Sequence, residues 1–531
     1  MLALPLVLVA VAVLWHRFGV RLQEISVRAA AWAWRHIEES SAYRRLRDRY
    51  PAVWRFAQRR LAPRGATGLG LSVVVLAAAA AMWAFLELLV EVVSGSDITQ
   101  VDHRIINLFQ ALRTPTGDRL MLGASYAGSG RSVAVIAGAA VLVALVLRRR
   151  RDAAMIVASL VAGSAFFAIV KLILGRPRPP FYEARIIQAG FSFPSGHATM
   201  ASVLYGSLAV LVIAAVHRLW LRVLVAVGAA VAIFWIGLSR VYLGVHYPSD
   251  VLAGWVGGAL WVLIVLAASR LWRGGDDVTN RSDVARAGAS WPRRTAALVL
   301  ALACVAYLTS TWPAVPAPNQ ARAPAPVSIA AGQLLPVMQR LVPRHTEGLF
   351  GHRQEPLNLM FVADSTTLVG AFRAAGWVQA ERLSWSSLWR AVTATLLGRP
   401  DAAGPVTPSF YDEHPEALAF SLPVGRTFSQ RHHIRIWHAR YELVPATPVW
   451  LATASYDSGY AIAAGSLLPV HDISPAIDLE RDYVVASMAR AGVVADTTRI
   501  QYVPPEMGTN AFGEPFFTYG QAVVLRLSQH F

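Results

Sequence analysis

The sequence predicts an all-α polytopic membrane helical bundle, with a six-helix core and flanking spans, followed by a soluble α+β domain. The chain is 55% hydrophobic and its mean hydropathy is +0.43. Its long apolar runs all lie before residue 313, and a segment rich in Pro and Ala then leads into a sequence of water-soluble composition. With 531 residues, the chain has room for both a membrane part and a second domain.

Seven apolar runs come close to the length that spans a bilayer. They cover residues 69–93, 132–147, 153–174, 198–216, 219–238, 251–271 and 295–311. Residues 1–14 form a further run that is short for a span. That run has neither a basic n-region nor a small-residue cleavage site, so no signal peptide is predicted, and whether it spans is left open.

The distribution of charge predicts the topology of the chain. A formal net charge of +17 is compatible with a nucleic-acid partner, but the arginines cluster within residues 17–64, 148–151, 218–222 and 270–294. These clusters alternate with connections poor in Arg, which is the positive-inside pattern. We therefore expect the four clusters in the cytoplasm and no nucleic-acid partner. Residues 171–197 and 239–250 then lie together on the outer side.

Composition divides the chain into five parts. They are residues 1–68 (an N-terminal anchor with an Arg-rich cytoplasmic segment), 69–271 (the membrane core), 272–312 (a cytoplasmic loop and the last span), 313–330 (a Pro/Ala linker) and 331–531 (the soluble domain). The first part resembles the tail of a DedA-type membrane domain, and a plain N-terminal anchor is the open alternative. A short amphipathic helix is predicted at 105–112, in the outer connection.

The soluble part mixes strand and helix patterns. Short β-type runs occur at 357–362, 418–422, 433–438, 449–455 and 522–527, and helical patterns occur at 365–375, 388–397 and 479–490. This mixture predicts a separate α+β domain.

Polar residues in the membrane core form three groups. They are Lys171 with Arg178 and Pro179; Pro194-Ser195-Gly196-His197; and Ser239-Arg240 with His246 and Asp250. Lys171 is the only lysine of the chain. Three cations suit the negative oxygens of a phosphoryl group, and arginine can bind them with two donors. Ser195 and Gly196 stand where a span begins, and a helix N-terminus offers free N–H groups to a phosphate.

The spacing of these groups resembles the signature of the type 2 phosphatidic acid phosphatase superfamily, which also contains the vanadium haloperoxidases. That signature is Lys-x6-Arg-Pro, then Pro-Ser-Gly-His, then Ser-Arg-x5-His-x3-Asp, and every position matches here. The resemblance covers about residues 69–271. It implies a lipid phosphatase without metal or cofactor. Haloperoxidases are soluble, whereas these groups are embedded among apolar runs.

The resemblance also implies roles for individual residues. His246 would be the nucleophile that forms a phosphohistidine, Asp250 would hold its other ring nitrogen, and His197 would protonate the leaving oxygen. The phosphate would be bound by Lys171, Arg178, Ser195, Gly196 and Arg240. Arg176 lies inside the first group but off its fixed positions, so we expect it either to bind the substrate head group or lipid phosphate or to lie on the surface.

The soluble part resembles the LssY-type C-terminal domain, in segments that include residues 357–362, 431–437, 449–457 and 508–520. Its polar residues His432, His433, His471, Asp472 and Asp478 are candidates for a metal or ligand site, although no spacing among them is diagnostic. Ordinary polar faces are the alternative. His433 and Arg435 alternate with isoleucines, as the solvent face of a strand does.

The sequence therefore predicts a multi-pass phosphatase in the bacterial inner membrane, with its active site and C-terminal domain on the periplasmic side. The substrate would be a lipid phosphate or diphosphate, with undecaprenyl diphosphate as the first candidate. Phosphatidic acid, phosphatidylglycerol phosphate and lipid A phosphate are alternatives, as is a sensor or binding protein with an inactive core. Membrane lipids are the expected surroundings, and the ligand of the C-terminal domain is not predicted.

Overall fold

The computed structural model describes most of the chain. The described residues are 45, 47–61, 68–95, 97–180, 184–273, 291–312, 325–381, 384, 387, 390, 393, 406, 408–424, 430–461, 470–510 and 513–528. The predicted anchor run 1–14, most of the loop after residue 272, most of the Pro/Ala linker and nearly all of the predicted helix 388–397 lie outside them.

The part of the chain before residue 313 is helical. Its helices are α1 (Pro51–Leu61), α2 (Leu69–Ser94), α3 (Asp97–Ala111), α4 (Pro115–Ala127), α5 (Gly130–Val146), α6 (Arg150–Leu174), α7 (Gly196–Ala215), α8 (Leu219–Tyr242), α9 (Pro248–Arg273) and α10 (Trp291–Ser310). Among the described residues, six helices are long and apolar enough to cross a membrane, or seven if the bent pair α4 and α5 forms one span. The prediction of a multi-pass helical bundle is confirmed.

The second apolar run, residues 132–147, corresponds to helix α5 alone. Helix α5 has 17 residues, and it meets α4 at an angle of 48°. The break falls where Ser129 caps α5 by accepting a hydrogen bond from the backbone N–H of Ser132 at 3.2 Å. The sequence pattern showed the apolar half and not the more polar α4 that precedes it.

Helix α7 packs closely against α9. Its residues Ala198, Ala201 and Leu204 are fully buried. Gly258 of α9 faces α7, and a Cβ added there would lie 2.7 Å from the carbonyl oxygen of Thr199. A glycine is therefore needed for the close approach that brings the beginnings of α7 and α9 together.

The connection after α2 belongs with the C-terminal domain. Residues 91–117, 179–187 and 317–531 form one compact unit, and most of the membrane helices form the other. Helix α3 is longer than the predicted 105–112. Its buried Arg104 pairs with Glu347, and Asn107 donates a hydrogen bond to the carbonyl oxygen of Glu413 at 2.9 Å.

The C-terminal domain contains three sheets and three described helices of eight residues or more, which confirms the α+β prediction. The helices are α11 (Leu334–Leu341), α12 (Ser365–Ala374) and α13 (Ile477–Arg490). The strands are β1 (Val327–Ile329), β2 (His345–Glu347), β3 (Arg353–Pro356), β4 (Leu359–Val362), β5 (Val378–Gln379), β6 (Phe410–Tyr411), β7 (His414–Pro415), β8 (Leu418–Pro423), β9 (Arg431–Leu443), β10 (Thr447–Ala461), β11 (Val470–Ile473), β12 (Val494–Gln501), β13 (Glu506–Thr509), β14 (Pro515–Thr518) and β15 (Gln521–Leu527).

The largest sheet organises this domain. Its order is β12-β15-β4-β10-β9-β8-β5, with β1 paired to β9 and β11 paired to β10. Strands β8, β9 and β10 are antiparallel neighbours, whereas β15 and β4 run parallel. Helices α12 and α13 cover one face through Phe372 and Met488, and α11 covers part of the other through Met338.

Candidate active site

Four helix ends bring the three polar groups together. Lys171 lies in the last turn of α6, which ends at Gly175 in the left-handed conformation with φ of 58°. Ser195 is the N-cap residue of α7, and Arg240 lies in the last turn of α8. The short connection from α8 to α9 carries His246, so helix geometry places all three groups at one end of the bundle.

Asp250 is held at the beginning of α9. Pro248 opens this helix, and the backbone N–H of Tyr247 donates to Oδ2 of Asp250 at 2.8 Å, which is the arrangement of a capping carboxylate. The carbonyl oxygen of Asp250 accepts a hydrogen bond from the N–H of Ser195 at 2.9 Å. These contacts join the beginnings of α7 and α9, and they fix a carboxylate that is fully buried.

The two ring nitrogens of His246 face different partners. Nδ1 lies 3.4 Å from Oδ2 of Asp250, and Nε2 lies 3.0 Å from Nη1 of Arg178. A guanidinium group can only donate, so Nε2 must be the acceptor and the proton belongs on Nδ1. The arrangement places the lone pair of His246 on Nε2, the nitrogen that faces the cations, where it accepts a hydrogen bond from Arg178.

Burial and neighbouring cations keep His246 neutral. Its side chain is 1% exposed. Burial lowers the pKa of His246 well below its ordinary value of 6.5, and the positive charges of Arg178, Arg240 and Lys171 lower it further.

Two site residues were not predicted from the sequence. The hydroxyl of Ser192 donates to Oδ2 of Asp250 and lies 3.3 Å from Nδ1 of His246. Arg176 donates from Nη1 to Oδ1 of Asp250 at 2.7 Å, and its guanidinium lies 4.3 Å from the centre of the Tyr247 ring. The notion of Arg176 at the head group, at the lipid phosphate or on the surface did not include this contact with the carboxylate beside His246.

Each of the three predicted cations donates hydrogen bonds to neighbouring groups of the site. Nζ of Lys171 donates to the carbonyl oxygen of Phe191 at 2.6 Å. Arg178 donates to the carbonyl oxygens of Gly190 at 2.8 Å and Val245 at 2.7 Å. Arg240 is 2% exposed and donates to the side chains of Ser125 and Gln188.

The beginning of α7 supplies the remaining polar groups. Ser195 is fully buried, and its hydroxyl makes no hydrogen bond with any described residue. A Cβ on Gly196 would lie 3.4 Å from the Phe167 ring, so the glycine keeps this helix end uncrowded. His197 follows in the first turn and is half-buried. An unpaired hydroxyl at a helix N-terminus is an anion-binding arrangement.

Three of the candidate residues of the C-terminal domain have described side chains, and each of these three is paired with a different partner. His432 pairs with Glu480 at 2.7 Å, Asp478 binds Arg481 at 2.8 Å, and His433 faces Asp457 at 3.0 Å. His471 and Asp472 lie on β11, and their side chains are outside the described part. In the described part, no group of three or more His, Cys, Asp or Glu is arranged to hold a metal ion.

The expected exposure of His433 was wrong. His433 is 1% exposed, because residues before β4 and around β6 cover the sheet face on which it lies. The alternation with isoleucines correctly indicated a strand, but it did not show that both faces of that strand are buried.

Comparison with known proteins agrees with this architecture. Residues 152–273 match the sequence model of the PAP2 superfamily, and residues 339–522 match that of the LssY C-terminus. This multi-pass membrane protein therefore carries a PAP2 superfamily domain and an LssY C-terminal domain.

Its relatives carry names of lipid phosphatases. The chain is 27% identical over 190 residues to phosphatidylglycerophosphatase B of Bacillus subtilis, covering 35% of this chain and 91% of that protein. It is 31% identical over 120 residues to an undecaprenyl-diphosphatase of Sulfolobus acidocaldarius, covering 22% and 53%. It is 34% identical over 105 residues to a lipid A 1-phosphatase of Rhizobium johnstonii, covering 18% and 39%. The chain thus spans about half, or less, of the latter two proteins.

A solved structure also aligns with the membrane part. The crystal structure of a transmembrane PAP2 type phosphatidylglycerolphosphate phosphatase from Bacillus subtilis is 24% identical, with a TM-score of 0.32. The alignment covers 36% of this chain and 96% of that chain.

Proposed function

We propose that the protein is an integral-membrane phosphatase that hydrolyses a lipid phosphate or diphosphate through a phosphohistidine on His246. The observation that carries this proposal is the orientation of the His246 ring. Its Nε2 faces Arg178, whereas its Nδ1 faces Asp250 and Ser192. A histidine nucleophile needs this tautomer, with the lone pair on the nitrogen that meets the phosphate.

In the first step, Nε2 of His246 attacks phosphorus while the bond from phosphorus to the lipid oxygen breaks. His197 gives a proton to the departing oxygen, and the proton on Nδ1 of His246 stays between the ring and Asp250. The ring becomes cationic when the N–P bond forms. The Asp250 carboxylate stabilises that charge, as the aspartate of a catalytic triad does.

In the second step, water attacks phosphorus and the N–P bond breaks. His197, now deprotonated, takes a proton from the water, so it returns to its starting state as inorganic phosphate forms. Lys171, Arg178 and Arg240 stabilise the charge on the phosphoryl oxygens in both steps. Ser195 and the first N–H groups of α7 donate to the same oxygens, which is why we assign them to phosphate binding.

The pairing of α3 with the C-terminal domain supports an outer location for both. Because Arg104 of α3 pairs with Glu347, the connection after α2 and the domain after α10 share one side of the membrane. If α4 and α5 form one span, α6 returns the chain to that same side, with Lys171 at its end. The arginines at 148–151 then lie on the opposite side, which the positive-inside pattern identifies as the cytoplasm.

Labelling of single cysteines tests this orientation. With the native thiol removed by Cys304→Ser, we compare Leu479→Cys in the C-terminal domain with Arg149→Cys before α6. Both positions are exposed. A membrane-impermeant maleimide should modify Leu479→Cys in intact spheroplasts and Arg149→Cys only after lysis. Labelling in the opposite order would place the active site in the cytoplasm.

The three relatives are named for different lipid substrates, so the lipid itself must be determined by assay. Undecaprenyl diphosphate is the first candidate, because a site between helix ends at the membrane surface suits a lipid carrier that is dephosphorylated on the outer side. Purified protein is assayed for phosphate release from undecaprenyl diphosphate, phosphatidylglycerol phosphate, phosphatidic acid and lipid A 1-phosphate. Inactivity on the whole panel would favour a sensor or binding protein.

Two histidine variants test the phosphohistidine. His246→Ala should remove both turnover and labelling from a ³²P-phosphorylated substrate. His197→Ala should slow turnover strongly, because leaving-group protonation and water activation both fail. Labelled protein should survive base and be lost in acid, as an N–P bond does. Near-normal turnover by His246→Ala would refute the mechanism.

A further inference from the structure

One face of the large sheet in the C-terminal domain is polar although it is buried. Arg431, His433 and Arg435 alternate along β9 and point to the side opposite Ile434 and Ile436, which pack into the hydrophobic core. On the neighbouring strand β10, Asp457 pairs in register with Arg431, and Ser455 pairs with His433. Side chains on adjacent strands at such positions stand next to one another, so these residues form a cluster.

Three charged or titratable side chains of this cluster are almost completely buried. Arg431 is 2% exposed, and His433 and Asp457 are each 1% exposed. Nε of Arg431 donates to Oδ2 of Asp457 at 2.9 Å, and Nδ1 of His433 lies 3.0 Å from Oδ1 of the same carboxylate. Removing such groups from water is costly, and an apolar core of equal volume is often as stable. Stability alone therefore does not explain the cluster.

Arg431, His433 and Asp457 of this cluster line a small cavity of about 30 Å³. Arg435, Gln354, Glu355 and Asn510 complete its polar wall. The volume exceeds the roughly 10–15 Å³ that one water molecule needs. It is far below the roughly 300–1,000 Å³ of pockets for drug-sized ligands. The cavity thus admits a small polar group and excludes a sugar ring or an acyl chain.

His433 offers an unsatisfied acceptor in this wall. Burial lowers the pKa of His433 below 6.5, although Asp457 acts in the opposite direction. The carboxylate beside Nδ1 favours the proton on that nitrogen, so Nε2 carries the lone pair. In the described part of the chain, neither ring nitrogen of His433 has a partner with hydrogen-bond geometry, and it is the charge of the Asp457 carboxylate, 3.0 Å from Nδ1, that favours the proton on that nitrogen.

The wall therefore requires a ligand that both accepts and donates. The guanidinium groups of Arg431 and Arg435 and the amide of Gln354 are donors on this wall, whereas Nε2 of His433 is an acceptor. A phosphate group that keeps one proton meets both requirements, because its P–O oxygens accept and its P–OH donates. Sulfate carries no proton at neutral pH, so it cannot donate a hydrogen bond to Nε2 of His433.

We propose that the cavity lined by Arg431, His433 and Asp457 binds a singly protonated phosphate group. Inorganic phosphate and the end of a phosphomonoester share this chemistry. A phosphate site in this domain is separate from the membrane residues that act on the lipid, and its ligand is also the product of the proposed reaction. The C-terminal domain would then report phosphate on the side of the membrane where it is released.

Binding to the full-length protein in detergent tests the proposal. Arg178→Ala is the background, so that phosphate does not occupy the membrane site. Calorimetry with inorganic phosphate should show one site per chain, and an equal concentration of sulfate should not compete. A second titration with glycerol 3-phosphate distinguishes inorganic phosphate from a phosphomonoester as the ligand. Binding of glycerol 3-phosphate without inorganic phosphate would identify a phosphomonoester, and the reverse would identify the free ion.

Substitutions place the binding in this cavity. His433→Phe keeps a ring and removes the acceptor, and it should weaken phosphate binding about tenfold or more, as expected for a lost hydrogen bond to an ionic group. Ser455→Ala is the matched control, since Ser455 is fully buried opposite His433 and does not line the cavity. Gln354→Ala provides a second variant in the cavity wall if His433→Phe does not fold.

Three results would overturn the proposal. They are absence of binding by both phosphates in the Arg178→Ala protein, equal competition by sulfate, and unchanged affinity in folded His433→Phe and Gln354→Ala. None of these results depends on lipid hydrolysis, which is measured separately, so failure here leaves the proposed function intact.

Discussion

Arg176 donates a hydrogen bond to Oδ1 of Asp250 at 2.7 Å, so the carboxylate beside His246 is shared with a guanidinium outside the signature positions. The other carboxylate oxygen, Oδ2, accepts from Ser192 and from the backbone N–H of Tyr247. Three donors therefore hold the Asp250 carboxylate in place, in addition to its contact with Nδ1 of His246. Its position depends on residues from the connection between α6 and α7 as well as on its own helix.

Removing the guanidinium of Arg176 should lower kcat. We expect Arg176→Gln to reduce kcat about 10- to 100-fold, the equivalent of losing one hydrogen bond to a charged group, with little change in KM. Arg176→Lys should restore part of the rate. The exposed Arg131 offers a matched control, and Arg131→Gln should have normal kinetics. A raised KM with unchanged kcat would instead assign Arg176 to the lipid head group.

Ser192 holds the same carboxylate through its hydroxyl. Ser192→Ala should lower kcat about tenfold, because Asp250 then loses a donor that lies beside Nδ1 of His246. Ser192→Thr keeps the hydroxyl and should retain more activity. The control is Ser207→Ala, which removes a buried hydroxyl from α7 that bonds to no described residue. Equal kinetics of Ser192→Ala and Ser207→Ala would show that Ser192 is only structural.

The apolar runs were sufficient to predict the long apolar helices but not the more polar α4, and the contacts of Arg176 and Ser192 were not predictable. Both residues lie in the connection between α6 and α7, which contains no regular element among its described residues. Periodicity gives the direction of a side chain only within a helix or strand. In an irregular connection, the turn at Gly175 and its neighbours decides which side chains point back to the site.

Strand β9 of the C-terminal domain shows a second limit of prediction from the sequence. Alternation along β9 predicted the strand, and it placed Ile434 and Ile436 correctly in the core. It could not show that distant segments cover the other face, because Gln354 and Ser409 reach that face from other parts of the chain. A buried polar face has the same sequence pattern as a solvent-exposed one.

The acid side of the pH profile should lie below pH 6.5. His246 must be neutral to attack, and burial together with Arg178 lowers its pKa in the folded protein. As the pH falls, His246 therefore stays active until the pH passes that lowered pKa. Lys171→Gln removes one of the cations that lower the pKa of His246. We therefore expect the acid limb of the kcat/KM profile, measured with a short-chain substrate, to shift to higher pH. Ionisation of the substrate affects the wild-type protein and the Lys171→Gln variant equally. Identical acid limbs in the two profiles would therefore contradict the proposed effect of Lys171 on the pKa of His246.

Truncation of the C-terminal domain should leave the chemistry and weaken the fold. No predicted catalytic residue lies beyond Asp250, so protein ending after Ala314 should still hydrolyse a short-chain substrate. Arg104 would lose Glu347, and α3 would lose its contact with Glu413. In the full-length chain, Glu347→Gln should cost about 1–2 kcal/mol of stability, less than a fully buried pair because Glu347 is 40% exposed. Complete inactivity of a folded truncation would show that the domain completes the site.

Chelation should leave the rate unchanged, and vanadate should inhibit. Both oxygens of Asp250 are engaged by Arg176, Ser192 and Tyr247, and the positive charge that a phosphoryl group needs comes from Lys171, Arg178 and Arg240. Mg²⁺ is normally bound through one or two carboxylates together with the phosphate, and this site has none to spare. Vanadate bound to Nε2 of His246 would resemble the five-coordinate transition state, so inhibition should be competitive. Arg178→Lys should lose activity and vanadate affinity together, because an ammonium cannot make the planar two-donor contact. Activity lost to a chelator and restored by Mg²⁺ would assign the enzyme to a metal-dependent class.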